Sequence, residues 1–423
     1  MDTIDIEIPE EDAQYMYDII QRIIDEAGPR MPCSPQEAQG AEIIKTELEK
    51  TCDTVHIEPF TCHPRAFLGW LRPVVLMILA TFLCFFFLGS YFPLLTGILI
   101  VGINILAFII VWFEFFNYDE FIDPLFKEKS SQNVVGTIKA KGELKNILIF
   151  SGHHDSALQF NLLRYTKHGY FIIIFLALIV FFLWIVLSVL NLIATVFSLN
   201  FAFIERMAFG WFLIGIPAFV GLLLFVWPGE RANTVPGAID NLSAVSIVLG
   251  LGRYLQKNRD IIPDGTELRL VSFGCEEAGL RGAYRYVEAH LDELRTYDAV
   301  DFNMDGIMSS KGCMVFTNEP TTRTKHSDEI VEKMEKAAEL VGVPLNDFGQ
   351  SIIEKIAGLL SGGTDAAAFS KAKIKAASLA SMRFSKFPYF YHQPSDTLDR
   401  IESGSLESAL KVCIGYIINE SKP

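Results

Sequence analysis

Four long stretches of the chain carry almost no polar residues. They run from about Pro73 to Tyr91, Leu95 to Phe113, Tyr170 to Phe197 and Met207 to Trp227. Each is near or above the ~18–20 apolar residues that a helix needs to cross ~30 Å of hydrocarbon. Core helices of water-soluble proteins seldom run this long without a charge. The turn Gly89-Ser90-Tyr91-Phe92-Pro93 is too short for anything but a tight hairpin, so the stretches pair into two hairpins. Pro217 and Asn104 inside them are tolerable where neighbouring helices satisfy the polar groups.

Between and beyond the hairpins the pattern changes to short runs of period two and period 3.6. Helices are expected over 10–27, from Ser34 through Leu48, over 241–257, after Gly279, and near 326–341 and 404–419. Ser34 with Glu37 three residues on has the form of a capping box. Strands are expected at Val55–Phe60, Asn133–Ile138, Asn146–Phe150, Leu268–Phe273, Ala299–Asn303, Met314–Thr317 and Ala376–Leu379. Strands alternating with helices predict an α/β fold with a mixed, largely parallel sheet flanked by helices. The expected organisation is one discontinuous domain (1–64, 117–165 and 229–423), interrupted by transmembrane hairpins at 65–116 and 166–228.

Two hairpins return the chain to the side it left. That side carries Arg65, Arg72, Lys127, Lys129, Arg164, Lys167 and Arg231 near the spans, against Arg206 on the other. The Lys/Arg bias predicts a cytoplasmic polar domain, with the turn near Asn200 outside the cytoplasm. The acidic start, without the basic and apolar parts of a signal peptide, agrees. Seven cysteines without a Cys-x-x-Cys pair read as buried free thiols in a reducing compartment, not as a disulfide framework. The net charge of −14 falls almost wholly on the water-facing part, and no basic patch stands out, which argues against nucleic-acid partners.

The candidate chemistry collects at the carboxyl ends of the expected strands, where sites gather in such folds. His153 and Asp155 follow one strand, Glu276 and Glu277 another, and Asp305 ends a third. Asp240 opens a helix, and His392 sits in the loop Phe387–Pro394. Taken singly, each has a bland reading: a helix cap for Asp240, a turn residue for Asp305, a surface pair for Glu276 and Glu277. Their conjunction at strand ends outweighs those readings. Imidazoles and carboxylates are the donors zinc takes in catalytic sites. Two such ions ~3.5–4 Å apart activate water and polarise a carbonyl, and a nearby carboxylate off the metals carries the proton. Adjacent Glu276 and Glu277 suit that division of labour.

At these residues the chain resembles the dizinc exopeptidases of metallopeptidase family 28, which include aminopeptidases, glutamate carboxypeptidases and the related glutaminyl cyclases. The motifs are Gly28-Pro29-Arg30, Asn133-Val134-Val135-Gly136, Gly152-His153-His154-Asp155-Ser156, Pro236-Gly237-Ala238-Ile239-Asp240-Asn241, Glu276-Glu277-Ala278-Gly279-Leu280, Asn303-Met304-Asp305 and Tyr391-His392-Gln393-Pro394-Ser395-Asp396. The resemblance implies the zinc-exopeptidase, phosphorylase/hydrolase-like fold and two Zn2+ ions. His153 and Asp305 would bind one ion, Glu277 and His392 the other, and Asp240 both. Glu276 would be the general base and later the acid. Asp155 would orient His153, Asp396 would do the same near His392, and Tyr391 is a candidate donor to the oxyanion.

Three features depart from the family pattern. Cys33 stands where Gly is common. The segment Gly363-Thr364-Asp365-Ala366 lacks the usual His after Asp, which leaves a substrate-pocket role for Asp365 open. The hairpins interrupt the catalytic domain. The expected activity is that of a membrane-integral aminopeptidase acting on peptides near the bilayer. Asp240 lies 13 residues after Trp227, at most about 45 Å along an extended chain. A carboxypeptidase, a glutaminyl cyclase and a non-catalytic membrane receptor are the alternatives, and a homo-oligomer formed through the spans is left open.

Overall fold

The computed structural model describes residues 3–199, 202–346, 362–382, 387 and 389–421. The turn near Asn200 lies outside the described residues. The chain divides into two units. One comprises residues up to 64, 127–159 and from 230 onward; the other comprises 65–126 and 160–229.

The first unit is built on β1 (Thr54–Cys62), β2 (Lys129–Ile138), β3 (Asn146–His153), β4 (Thr266–Phe273), β5 (Val300–Ile307), β6 (Cys313–Phe316), the short pair β7 (Asn318–Glu319) and β8 (Thr324–Lys325), and β9 (Lys375–Ser381). Seven of them form one sheet in the order β1-β2-β4-β3-β5-β9-β6, while β7 and β8 pair with each other. The central pairings β4/β3, β3/β5 and β5/β9 are parallel. The outer pairings β1/β2, β2/β4 and β6/β9 are antiparallel. This is the mixed, largely parallel sheet that the pattern predicts.

Strand chemistry explains the order. In β3 the run Ile147-Leu148-Ile149-Phe150 is buried on both faces, as a central parallel strand requires. Leu148 and Phe150 join a core with Ile20 and Ile23 of helix Glu10–Ala27, Leu48 of helix Pro35–Leu48 and Val248 of helix Ser243–Lys257. Ile147 and Ile149 point the other way, into a second core with Tyr286 of helix Arg281–Thr296 and Phe369 of helix Ala366–Lys371. The two-residue period of a strand thus feeds both helical layers. β1 contains Pro59, which has no N–H to give a ladder and is accommodated at the sheet edge.

Two local differences from the sequence pattern bear on the site. The helix expected from 241 begins at Ser243, because Asp240 and Asn241 have non-helical backbone angles. The Asp396 carboxylate accepts the amides of Ile239 at 2.7 Å and Asp240 at 3.2 Å, donors that a regular first turn would aim elsewhere. The capping box at Ser34 forms on one side only. Ser34 Oγ accepts the Glu37 amide at 3.1 Å, whereas the Glu37 carboxylate takes the amides of Cys33 and Cys275.

In the second unit, helices Leu71–Leu88, Pro93–Glu114, Gly169–Val196 and Ala202–Leu223 correspond to the four apolar stretches. All four are long and apolar enough to cross a membrane. The first hairpin packs on the second. Inside this unit a buried polar chain links three helices. Trp184 Nε1 donates to Thr81 Oγ1 at 2.9 Å, Thr81 Oγ1 donates to Asn104 Oδ1 at 3.2 Å, and Asn104 Nδ2 donates to Ser188 Oγ at 3.3 Å. Such bonds hold helices together where the surroundings offer no competing water. The outward faces, with Leu76, Leu95, Ile172 and Val186 exposed, are apolar.

Candidate metal centre

β3 ends on His153 and Asp155 follows it; β4 is followed by Glu276 and Glu277; β5 carries Asp305. Because these strands are parallel neighbours, their carboxyl ends deliver the three segments to one edge of the sheet. Asp240 enters from the irregular turn before helix Ser243–Lys257, and His392 from the loop after β9. The outcome is two candidate ligand sets that share one residue. His153, Asp240 and Asp305 each offer one atom within 4.8 Å of the others, and so do Asp240, Glu277 and His392. Asp240 Oδ1 lies 3.3 Å from His153 Nε2, and Asp240 Oδ2 lies 3.4 Å from His392 Nε2. Its two oxygens therefore face different imidazoles, the geometry of a bridging carboxylate. His392 Nε2 is also 3.4 Å from Glu277 Oε2.

Glu276 stands beside these sets and in neither of them. Its Oε2 lies 3.7 Å from His153 Nε2. Asp155 places both glutamates: its Oδ1 accepts the amide of Glu276 at 3.1 Å and its Oδ2 that of Glu277 at 3.0 Å. The same Oδ1 lies 3.3 Å from His153 Nδ1, which turns Nε2 toward Asp240. Removing this carboxylate frees an imidazole and two backbone amides together. Asp155→Ala is expected to weaken metal affinity and activity by about 10–100-fold. Activity measured against added zinc checks this; an unchanged zinc requirement would contradict it.

The electrostatics call for a cation. Burial raises the carboxyl groups of Glu276 and Glu277 well above the ordinary range, and neighbouring carboxylates add to it. Burial, then Asp240, lifts Asp305 and Asp396 to about 8. Burial also raises Asp240, but the imidazoles of His153 and His392 outweigh it and hold Asp240 low. Burial lowers His153, yet Glu276, Asp155 and Asp240 overcome that and raise it. Glu277 Oε1 is buried and makes no hydrogen bond among the described residues. Clustered carboxylates taken out of water are costly unless positive charge compensates them. Imidazole and carboxylate donors, shared through Asp240, fit divalent zinc.

The remaining candidates fall as follows. His154 points away from the ligands. Its Nδ1 lies 2.9 Å from Ser272 Oγ, and burial lowers its pKa to about 4, so it stays neutral. Strand alternation separates the two adjacent histidines. Asp396 grips the Asp240 turn through the two amides given above, so its hold is on the shared ligand's backbone. The Tyr391 ring stacks on His392 at 3.8 Å and on Phe387 at 4.1 Å between centroids. Asp365 is buried at the start of helix Ala366–Lys371, with neither carboxylate oxygen hydrogen-bonded among the described residues.

Two supports carry no ligand signal in the sequence. Arg30, fully buried, donates to four carbonyls: Nε to His154 at 2.8 Å, Nη1 to Gly28 at 2.7 Å, and Nη2 to Pro236 at 2.9 Å and Gly237 at 3.5 Å. Asn241 Nδ2 donates to the Met304 carbonyl at 2.9 Å, and its Oδ1 accepts the Gly306 amide at 3.2 Å, which clamps both sides of Asp305. Gly237, at φ +66°, leaves no room for a side chain, since a Cβ would meet the Asp240 carbonyl at 2.7 Å.

Residues 227–417 match the model of peptidase family M28. The chain is 30% identical over 179 residues to aminopeptidase YwaD of Bacillus subtilis (strain 168), an alignment covering 41% of this chain and 35% of that protein. The chain thus spans about a third of the length of that relative. Among solved structures, BSAP, a zinc aminopeptidase from Bacillus subtilis, superposes with a TM-score of 0.52 at 16% identity, covering 96% of this chain and 94% of the other. Fimbriiglobus ruber glutaminyl cyclase superposes with a TM-score of 0.56 at 12% identity, covering 98% and 97%. At such identities the likeness is one of fold. The chain resembles peptidase family M28 in sequence over its carboxyl-terminal part and shares its neighbours' fold around the candidate metal centre.

Proposed function

We propose, on the premise of this resemblance to peptidase family M28, that the protein is a membrane-integral, dinuclear zinc exopeptidase acting as an aminopeptidase. The observation that carries the reading is the pair of ligand sets joined at Asp240, with Glu276 poised next to them and outside both. His153, Asp240 and Asp305 would hold one zinc ion, and Asp240, Glu277 and His392 the other. Zinc held there would supply Lewis acidity to the scissile carbonyl and make a water molecule more acidic.

The chain's own groups account for the proton traffic. Glu276 takes a proton from the attacking water and hands it to the amine nitrogen as the C–N bond breaks. Burial raises that carboxyl's proton affinity, the direction that suits a group which must also return the proton. Asp155 fixes Glu276 and His153 in mutual register, and Asp396 with Asn241 does so for the shared ligand and for Asp305. Tyr391 is the candidate donor to the oxyanion. The four apolar helices support membrane anchoring, and the Lys/Arg bias supports a cytoplasmic catalytic unit. A preference for peptides at a membrane surface rests on the length of the connector in the sequence alone.

The test is a peptide-library digest by the purified full chain, read by mass spectrometry with and without chelator. Residues are expected to leave from free amino ends, with amino-terminal acetylation and chelation each abolishing release and zinc restoring it. Release from the carboxyl end would make the protein a carboxypeptidase. Conversion of amino-terminal glutamine to its cyclic form without hydrolysis would favour the cyclase activity named for one of its structural neighbours.

A further inference from the structure

Three of the seven cysteines, far apart in sequence, meet in the first unit. Cys33 precedes helix Pro35–Leu48, Cys62 ends β1, and Cys275 lies between β4 and Glu276. Cys33 Sγ is 3.5 Å from Cys62 Sγ and 3.3 Å from Cys275 Sγ, and the three sulfurs all lie within 4.8 Å of one another. None is in a disulfide. Cys62 and Cys275 are buried, whereas Cys33 is half-buried and opens the cluster to one side.

Free thiols that serve only as small apolar side chains are packed among hydrocarbon. These three are packed on one another, with little apolar cover beyond Ala278 and Phe60. Charged groups adjoin them as well. The Glu37 carboxylate lies 3.4 Å from Cys275 Sγ and accepts the amides of Cys33 at 2.7 Å and Cys275 at 2.9 Å, which fixes two of the three backbones. Hydrogen bonds with Cys275 and Cys33, and then the positive charges of Arg281 and Arg285, lower the Cys62 pKa, while burial raises that of Cys275. Sulfurs bound at ~2.3 Å to one ion stand roughly 3.8–4.0 Å apart in tetrahedral or trigonal geometry. The observed separations need only a slight opening to reach it.

We propose that Cys33, Cys62 and Cys275 form a thiolate site for one thiophilic d10 cation, Zn2+ or Cu+, distinct from the imidazole–carboxylate centre. Three sulfurs and no imidazole make a soft donor set, which selects such cations over harder ones. The bound ion would staple the segment before helix Pro35–Leu48, the end of β1 and the turn that carries Glu276. Its role is therefore to hold the backbone beneath the proposed general base, and not to meet substrate.

The test uses the reduced, metal-free full chain in detergent, titrated with Cd2+ alone as a spectroscopic stand-in. A thiolate-to-cadmium charge-transfer band in the ultraviolet is expected, saturating at one equivalent. It should be lost in Cys33→Ser and Cys62→Ser and kept in Cys52→Ser, whose thiol lies outside the cluster. Should Cys62→Ser fail to fold, Cys33→Ser decides, because that side chain is the least buried of the three. Displacement of cadmium by Zn2+ or, anaerobically, by Cu+ identifies the cation preferred. Absence of the band, its survival in both cluster variants, or a Cys33–Cys275 disulfide that persists under reductant overturns the proposal. Carboxylates and imidazoles give cadmium no sulfur band, so the result stands apart from the fate of the aminopeptidase reading.

Discussion

Glu276→Gln is expected to lower kcat by roughly 10²–10⁴ while the protein keeps its zinc. The reasoning is geometric. Glu276 belongs to neither ligand set, so exchanging one carboxylate oxygen for an amide leaves both intact. Its amide stays on Asp155, because the backbone bond does not involve the altered side chain. What is lost is a group that can accept a proton and return it. Glu277→Gln is the contrasting variant. Glu277 is a member of the Asp240–His392 set, so this change should lower the bound zinc as well as the rate. Turnover and zinc content measured on both proteins separate the roles. Unchanged turnover in Glu276→Gln would remove the assigned mechanism.

Arg30→Met is expected to destabilise the first unit by about 3–5 kcal/mol although Arg30 touches no proposed ligand atom. The guanidinium is wholly buried, and burial pulls its pKa down to about 10, so it stays charged at neutral pH. Methionine fills the space but leaves the carbonyls of Gly28, His154 and Pro236 without their donors. It also removes the positive charge that acts on Asp155, Asp396 and Glu37. Lysine is a poor substitute, since its ammonium cannot reproduce the fixed fork of donors that spans three segments. Thermal melting should show a fall of about 10 °C, with weaker zinc retention because Arg30 ties the residues around His153 to those before Asp240. A melting temperature equal to that of the unaltered protein would show that the segments hold without it.

Much of the site was legible because zinc chemistry restricts residue types. His153, Asp240, Glu277 and Asp305 stand at the ends of segments whose apolar runs announce strands and helices, and His392 in the loop after the last strand. Parallel strands bring such ends together whatever the loops between them do. The four long apolar helices were legible for a similar reason, since a helix fit to cross hydrocarbon needs a length and purity of apolar residues that little else requires. Features built from single long-range contacts were not. Nothing local marks Arg30 as the tie among three segments. Helix propensity near 241 says nothing of Asp396, more than 150 residues on, whose carboxylate draws two amides out of a regular first turn. The cysteines read as buried free thiols because no Cys-x-x-Cys pair marks a ligand motif, and those that meet are 29 and 242 residues apart.

The sequence by itself determined the two kinds of environment, apolar spans and an α/β unit, and the inventory of donors that zinc accepts. Periodicity and residue chemistry are local properties, and a reader of the chain has them in full. Tertiary structure decided which of two adjacent histidines faces the other candidate ligands, that Asp240 offers one oxygen to each set, that Asp396 holds the Asp240 turn, and that three distant cysteines meet in one cluster. Each of those depends on distances between segments that chain order does not constrain, and a few tenths of a nanometre separate a ligand from a bystander.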